Sequence, residues 1–192
     1  GFWYKNCNID IMKINYLFIL VFFFSLNGVA QNAPGDFKLT NAVVVAQQDK
    51  PEDRYSLEIN VLQLLASKGL KTKASLNIVK QGGSPLILAE DSIQKKVLEE
   101  GIDTYMLVSV RGYDKRFKPS ENSLPMEEEL NAGHLFPLYR EDVTSVTFSV
   151  TFYRNNEPVH YELIKTGNVG SREAVLKKFL KKLDKRLQKS WL

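Results

Sequence analysis

The run Ala42-Val43-Val44-Val45-Ala46 constrains the fold of this chain more than any other feature. It has strand length and β-branched residues at its centre, and it lacks the apolar-polar alternation that would leave one face for water. Such a strand must be covered on both sides, so it belongs in a sheet between helices. The next segments supply those helices. Asp49 offers an N-cap, with Pro51, Glu52 and Asp53 in the first turn, where proline is tolerated and acids suit the helix dipole. Leu57, Val61, Leu64 and Leu65 recur at helical spacing, and Gly69 stands where a helix C′ residue belongs. Ala74 to Val79 reads as a second strand. Ser84 and Pro85 open a second helix through Ile87, Glu90, Ile93, Val97 and Leu98, closed at Gly101, and Tyr105 to Val110 reads as a third strand. Strands alternating with helices in this way predict βαβ units with parallel pairing.

The pattern then changes. Gly112 to Asp142 holds Pro119, Pro125, Gly133 and Pro137 with the acidic run Glu127-Glu128-Glu129, and reads as a long loop, a length uncommon in compact domains unless functional. From Val143 to Tyr153 polar and apolar residues alternate, with Val146, Phe148, Val150 and Phe152 on one face, which predicts a half-buried antiparallel strand. Asn155-Asn156 is a turn signal, and Val159 to Lys165 returns as the hairpin partner. Gly170-Ser171 opens a last helix. The expected architecture is one α/β domain with a mixed sheet of about five strands, in the order β-α-β-α-β, long loop, β-hairpin, C-terminal α.

The start of the chain points to export. Met12 and Lys13 precede the apolar run Tyr16 to Leu26, broken only by Ser25, and Val29 and Ala30 place small residues before a cut after Ala30. The run is short for a membrane helix, which needs about 20 apolar residues; the competing reading is an uncleaved anchor. Residues 12–30 thus read as a signal peptide, residues 1–11 as upstream translation, and 31–192 as the mature domain. That domain is expected to be periplasmic or secreted and not membrane-spanning once the signal is cleaved. The single cysteine, Cys7, falls in the excluded leader. The mature chain therefore has no disulfide framework, thiolate nucleophile, cysteine metal site or lipid-anchoring cysteine.

Little in the mature chain reads as catalytic. The two histidines, His134 and His160, lack the spacing of a zinc motif. Gln81-Gly82-Gly83-Ser84-Pro85 is a glycine turn before a helix N-terminus, but it lacks the Lys-Ser/Thr of a phosphate loop. Glu127, Glu128 and Glu129 read as a solvated run, and no Ser sits in a Gly-x-Ser-x-Gly elbow. No metal, cofactor or nucleic-acid partner is expected, and the chain is read as a non-enzyme.

Two surfaces remain. The last helix carries Leu176, Leu180, Leu183, Leu187 and Trp191 as a stripe, widened by Val175 and Phe179. Around them stand Lys177, Lys178, Lys181, Lys182, Lys185, Arg186 and Lys189. The stripe suits packing on a sheet, and the face Lys178, Lys181, Lys182, Lys185 and Lys189 remains to meet anionic lipid or polymer. The other surface is the carboxyl edge of the parallel strands, where open α/β sheets bind ligands. It would present Gln47, Asp49, Lys80, Arg111, Tyr113, Asp114 and Arg116, a rim of recognition composition.

The segments Asp53-Arg54-Tyr55-Ser56-Leu57-Glu58, Leu65-Ala66-Ser67-Lys68-Gly69, Ala74-Ser75-Leu76 and Gly101 to Val108, with the hairpin Phe148 to Ile164, together resemble small periplasmic and outer-membrane-associated envelope proteins. These include the DUF4136-like group, with a fold similar to the N-terminal domain of TolB and to the activators of penicillin-binding proteins. The resemblance implies an envelope interaction module whose partner is another envelope protein, and carries no functional residues with it. The alternatives are a hydrolase of envelope polymer built from carboxylates of 112–142, and an anionic lipid or polyanion binder using the basic helix.

Overall fold

The computed structural model describes residues 37–80, 83–118, 123–133 and 135–192. The leader, the signal peptide with its cleavage site, Cys7, the Gln81-Gly82 turn and His134 lie outside them. The described residues form one mixed α/β domain around a five-stranded open sheet ordered β2-β1-β3-β4-β5. Strand β1 spans Asn41–Gln47, β2 Lys71–Ala74, β3 Tyr105–Tyr113, β4 Ser145–Arg154 and β5 Glu157–Gly167. Strand β1 pairs in parallel with β2 and β3, and the β3–β4 and β4–β5 pairs are antiparallel. The helices are α1 (Pro51–Ser67), α2 (Asp91–Glu99), α3 (Met126–Ala132) and α4 (Arg172–Arg186).

As its apolar run requires, β1 is covered on both sides. Ala42, Val44 and Ala46 face a core shared with Leu57, Val61 and Leu65 of α1 and Val175, Phe179 and Leu183 of α4. Val43 and Val45 face a second core with Leu88, Val97 of α2, and Met126 and Leu130 of α3.

Several boundaries move for identifiable reasons. The N-cap position of α1 is Lys50, not Asp49, and no side chain caps it. Pro51 drives its predecessor out of the helical region, so Lys50 is extended at φ −101° and ψ 131° and the helix begins immediately after it. The second strand ends at Ala74 where Ala74 to Val79 was expected, and Ser75–Asn77 turns away as a 3-10 segment. The cause is Glu58 of α1, whose carboxylate accepts from the Ser75 hydroxyl (2.6 Å) and the Leu76 amide (3.2 Å). The second helix is divided. Ser84 caps a 3-10 stretch, Pro85–Ala89, by accepting from the Leu86 amide; Glu90 is extended, and α2 starts at Asp91. The long segment 112–142 is not all loop: β3 runs on to Tyr113, and α3 places Glu127, Glu128 and Glu129 in its first turn, where the helix dipole favours negative charge.

Strand β4 is buried on both faces, not half-buried. It lies between β3 and β5, and its short hydroxyl side chains sink between larger neighbours, Ser149 opposite Leu163 and Thr151 opposite Tyr161. Ser109 and Ser149 pair their hydroxyls at 2.8 Å. The hairpin turn is Asn155-Asn156, both left-handed (φ 50° and 68°), the geometry that matches strand twist and suits asparagine.

Ser171 caps α4 by accepting from the Ala174 amide at 3.2 Å. The buried stripe is centred on Val175, Phe179, Leu183, Leu187 and Trp191, with Leu176 and Leu180 at its flank, one position away from the centre expected. Spacing by four residues rotates about 40° per step on an α-helix, which would carry Trp191 off the sheet. The helix answers by widening into a π turn over Leu187–Trp191, where the Leu192 amide donates to the Leu187 carbonyl at 3.1 Å. Trp191 is then fully buried, its ring 4.8 Å from that of Phe152.

Trp191 also closes a clasp between the two ends of the domain. Its indole N–H donates to His160 Nε2 at 3.1 Å, its carbonyl accepts from the Leu39 amide at 2.7 Å, and Phe37 stacks on His160 at 4.9 Å. An imidazole that accepts here and is enclosed by rings is held neutral, and burial lowers its pKa. The folded state then resists a proton that the unfolded chain takes up. The stability due to His160 is present above the unfolded pKa, about 6.5, and is lost as pH falls through the lower folded value. Glu162, on the same face of β5, is raised by burial and lowered in part by Arg186, so it acts in the opposite sense. The urea midpoint is expected to fall below about pH 6.5, and His160→Gln to remove most of that fall. An unchanged pH slope in the variant would show that His160 is not its source.

Candidate functional site

The sheet order leaves the carboxyl ends of β1 and β3 side by side, and the residues expected on this rim differ widely in freedom. Gln47 is buried, and its Nε2 donates to the Glu129 carbonyl of α3 at 3.4 Å. Tyr113 donates its hydroxyl proton to the Pro137 carbonyl at 2.5 Å and lies 5.4 Å below the Arg140 guanidinium. Burial first, then Asp49 and Asp53, push that phenol up to about 12 against the pull of Arg140. Asp114 is left-handed (φ 50°), and one carboxylate oxygen accepts from the amides and hydroxyls of both Thr144 and Ser145. The Thr144 hydroxyl is the largest of the contacts that lower its pKa. Tyr113 and Asp114 thus fasten the return from segment 112–142 into β4. Asp49, Lys80, Arg111 and Arg116 are exposed, but Lys80 does not end a strand as expected, because β2 stops at Ala74, six residues before it. Leu135 and Phe136 are exposed too, with Phe136 edge-on to Tyr113 at 6.3 Å.

The bulge at Gly112 shapes this rim. A Cβ there would lie 2.4 Å from Phe117, too close for any side chain without movement. Gly112→Ala is expected to cost about 1–3 kcal/mol through overpacking, read as a lower urea midpoint, and Phe117→Ala in the same chain to recover part of it. An unaffected midpoint in the single variant would show that Phe117 is free to move aside.

The basic face of α4 is a different kind of place. Lys178, Lys181, Lys182 and Lys185, with Gly167 and Asn168 at the end of β5, line a groove of about 390 Å³. Lys189 is exposed on the π turn beyond it. Two of the ammonium groups are anchored. Lys178 donates to the carbonyls of Gly167 (2.9 Å) and Asn168 (2.5 Å), and Lys182 to that of Lys165 (2.5 Å). Asn168 is left-handed (φ 54°), in the turn that supplies two of these carbonyls. The acids nearby are occupied elsewhere: Asp184 with Lys68, the C-cap residue after α1, at 2.7 Å, and Glu162 with Arg186 at 2.6 Å. Among the described residues none of the four groove lysines is in an ion pair. A row of like charges with no carboxylate paired to it among the described residues favours an anion.

The buried polar residues that the sequence reading did not single out are structural. Glu58 is fully buried and accepts from the Ala46 amide, the Arg54 guanidinium, the Ser75 hydroxyl and the Leu76 amide. Asp53, expected only to complement a helix dipole, is buried, ion-paired with Arg172 at the start of α4 and bonded to the Leu138 amide. The legible signal was spacing: Glu58 stands three residues before Val61 and seven before Leu65, on the apolar face of α1. Gln48 is buried with both amide atoms unpartnered among the described residues. No group of three or more His, Cys, Asp or Glu that could hold a metal occurs among the described residues, and none of their helices is long and apolar enough to cross a membrane.

No family model and no curated protein matches the chain. Among solved structures it is similar to a PelC variant from Paraburkholderia phytofirmans, a dodecamer, at 12% identity over 79% of this chain and 93% of that one, with a TM-score of 0.43. It is also similar to lipoprotein GNA1162 from Neisseria meningitidis, at 11% identity over 80% of this chain and 99% of that one, with a TM-score of 0.43. The resemblance to the DUF4136-like group and to TolB gains no match from the family comparison.

Proposed function

We propose that this chain is an exported, non-enzymatic binding module of the cell envelope that holds an anionic envelope component in the lysine groove of α4. The observation that carries this reading is the groove itself: four lysines outside any ion pair among the described residues, two of them held in place by strand-end carbonyls. Anchored ammonium groups lose less freedom when a ligand arrives than lysines moving freely in water. The export signal and the absence of a recognisable catalytic motif in the sequence support the same reading. The test is binding of the purified protein to phosphatidylglycerol vesicles, polygalacturonate and polyphosphate at low and high salt. Binding to at least one probe, weakened by salt and by Lys181→Glu with Lys185→Glu, is expected. No salt-sensitive binding to any of the three would overturn the reading.

A second reading concerns the rim. Exposed Leu135 and Phe136, with Arg140 over the neighbouring Tyr113 and the exposed Arg116 of the same 112–142 segment, combine apolar and arginine character, the composition enriched in protein interfaces. Another envelope protein is the partner proposed there. In-cell crosslinking should capture such a partner from the native chain and lose it on Phe136→Asp with Arg116→Glu; capture that persists would move the contact elsewhere.

A further inference from the structure

We infer that the ligand of the lysine groove is a linear polyanion laid along α4 and the end of β5, and not the surface of a bilayer. This rests on the reading of the groove as an anion site. The apolar stripe of the helix decides against the bilayer. A helix that binds a membrane surface puts its apolar face into the acyl boundary while its lysines meet the headgroups. Here Val175, Phe179, Leu183, Leu187 and Trp191 are all buried against the sheet. The large exposed hydrophobics of the described residues include none on α4. The helix therefore offers charge alone.

The arrangement of that charge favours a chain of anions over a single one. Positions 178, 181, 182 and 185 share one helix face and span seven residue steps, about 10 Å along the axis. They form a row bounded on one side by the carbonyl edge at Lys165, Gly167 and Asn168. A lone phosphate or carboxylate reaches one or two of these ammonium groups. Successive anionic groups of an extended polymer reach them all. Lysine presents a point charge without the planar fork of arginine, so the row responds to charge density and tolerates different anionic groups. Like charges at i, i+4 repel, and a polyanion relieves that repulsion in the folded state alone, so binding also raises stability.

Lys178 and Lys182, tied to the strand, position the row, and Lys181 and Lys185, exposed and free of backbone anchors, are the contacts open to substitution without cost to the fold. The experiment titrates the purified protein with orthophosphate, tripolyphosphate, long-chain polyphosphate and phosphatidylglycerol vesicles over a salt series. Affinity is expected to climb at least tenfold from orthophosphate to the long chain, with a slope of log K on log salt of about −3 for four contacts. Lys181→Gln with Lys185→Gln should lower long-chain affinity about tenfold and roughly halve the slope, with the urea midpoint in the absence of ligand no lower. Lys95→Gln with Lys96→Gln, an equal charge change on exposed positions of α2, should leave both as they are. If vesicles bind as tightly as the long chain, or orthophosphate does, the polymer inference falls and the anion site stands. If no probe shows salt-sensitive binding, both fall.

Discussion

Replacing Glu58 by alanine should lower the unfolding free energy by about 3–5 kcal/mol, the range for removing one partner of a buried charged network. For a domain of ordinary stability this is a large share of the total. The carboxylate joins three elements at once: β1 through the Ala46 amide (3.0 Å), α1 through Arg54 (3.2 Å), and the end of β2 through Ser75 and Leu76. Alanine leaves two backbone amides without acceptors, and a buried amide without a partner is costly to keep. Glu58→Gln retains one acceptor oxygen but turns a donor towards groups that already donate, so it should fall between wild type and alanine. Arg54→Ala should cost less than either, because Arg54 is partly exposed and its loss leaves Glu58 three other donors. Urea titration of the three variants gives the order. A Glu58→Ala midpoint within error of wild type would show that the network adds nothing to stability.

Trp191→Ala is expected to cost a similar amount, about 3–5 kcal/mol for a large aromatic removed from a close-packed site. The loss has two parts. The indole fills the core end beside Phe152 and His160, and its N–H holds the neutral imidazole of His160. Trp191→Phe keeps most of the volume and drops the donor, so it should cost roughly 1 kcal/mol and flatten the acid slope by freeing His160 Nε2. Trp191→Ala should also loosen the chain entry, because the buried indole holds in place the backbone carbonyl that accepts from the Leu39 amide. Hydrogen exchange at Leu39 should quicken in Trp191→Ala more than exchange in β3. Equal quickening at both sites would mean that the clasp opens only with the whole domain.

The sheet was legible where local physics and tertiary demand agree. Ala42 to Ala46 had no polar face to offer, so a two-sided core was unavoidable, and Gly69 and Gly101, both left-handed in the structure, closed their helices as glycine allows. The turn at Asn155-Asn156 and the cap at Ser171 were readable for the same reason: each is decided by a few neighbouring residues. The early end of β2 was not, because Glu58, 17 residues before Ser75, reaches across from another element. Nor was the burial of β4's hydroxyl face, which depends on strands on both sides of it. Among the candidate site residues, the lysines of α4 were named from helical spacing alone, yet spacing carries no information about the carbonyls of Lys165, Gly167 and Asn168 that anchor two of them. Tyr113 and Asp114 were chosen for their chemistry and position, and their fastening to Pro137, Thr144 and Ser145 depends on how segment 112–142 returns.

By itself, then, the order of residues determined most of the strands and helices, though not α3 or the bounds of β2, that the sheet is mixed, and that the last helix has one apolar and one basic side. Those follow from periodicity, turn chemistry and the cost of exposing a valine run, all of which act over a few residues. Tertiary structure decided which polar groups are spent and which are free. It turned Glu58 and Asp53 into buried struts, tied Phe37 and Leu39 to the last turn through His160 and Trp191, and left a row of lysines beside a strand edge with no acid among the described residues paired to it. A polar side chain's role depends on the partner that folding brings within about 3 Å, and that partner is seldom its neighbour in sequence.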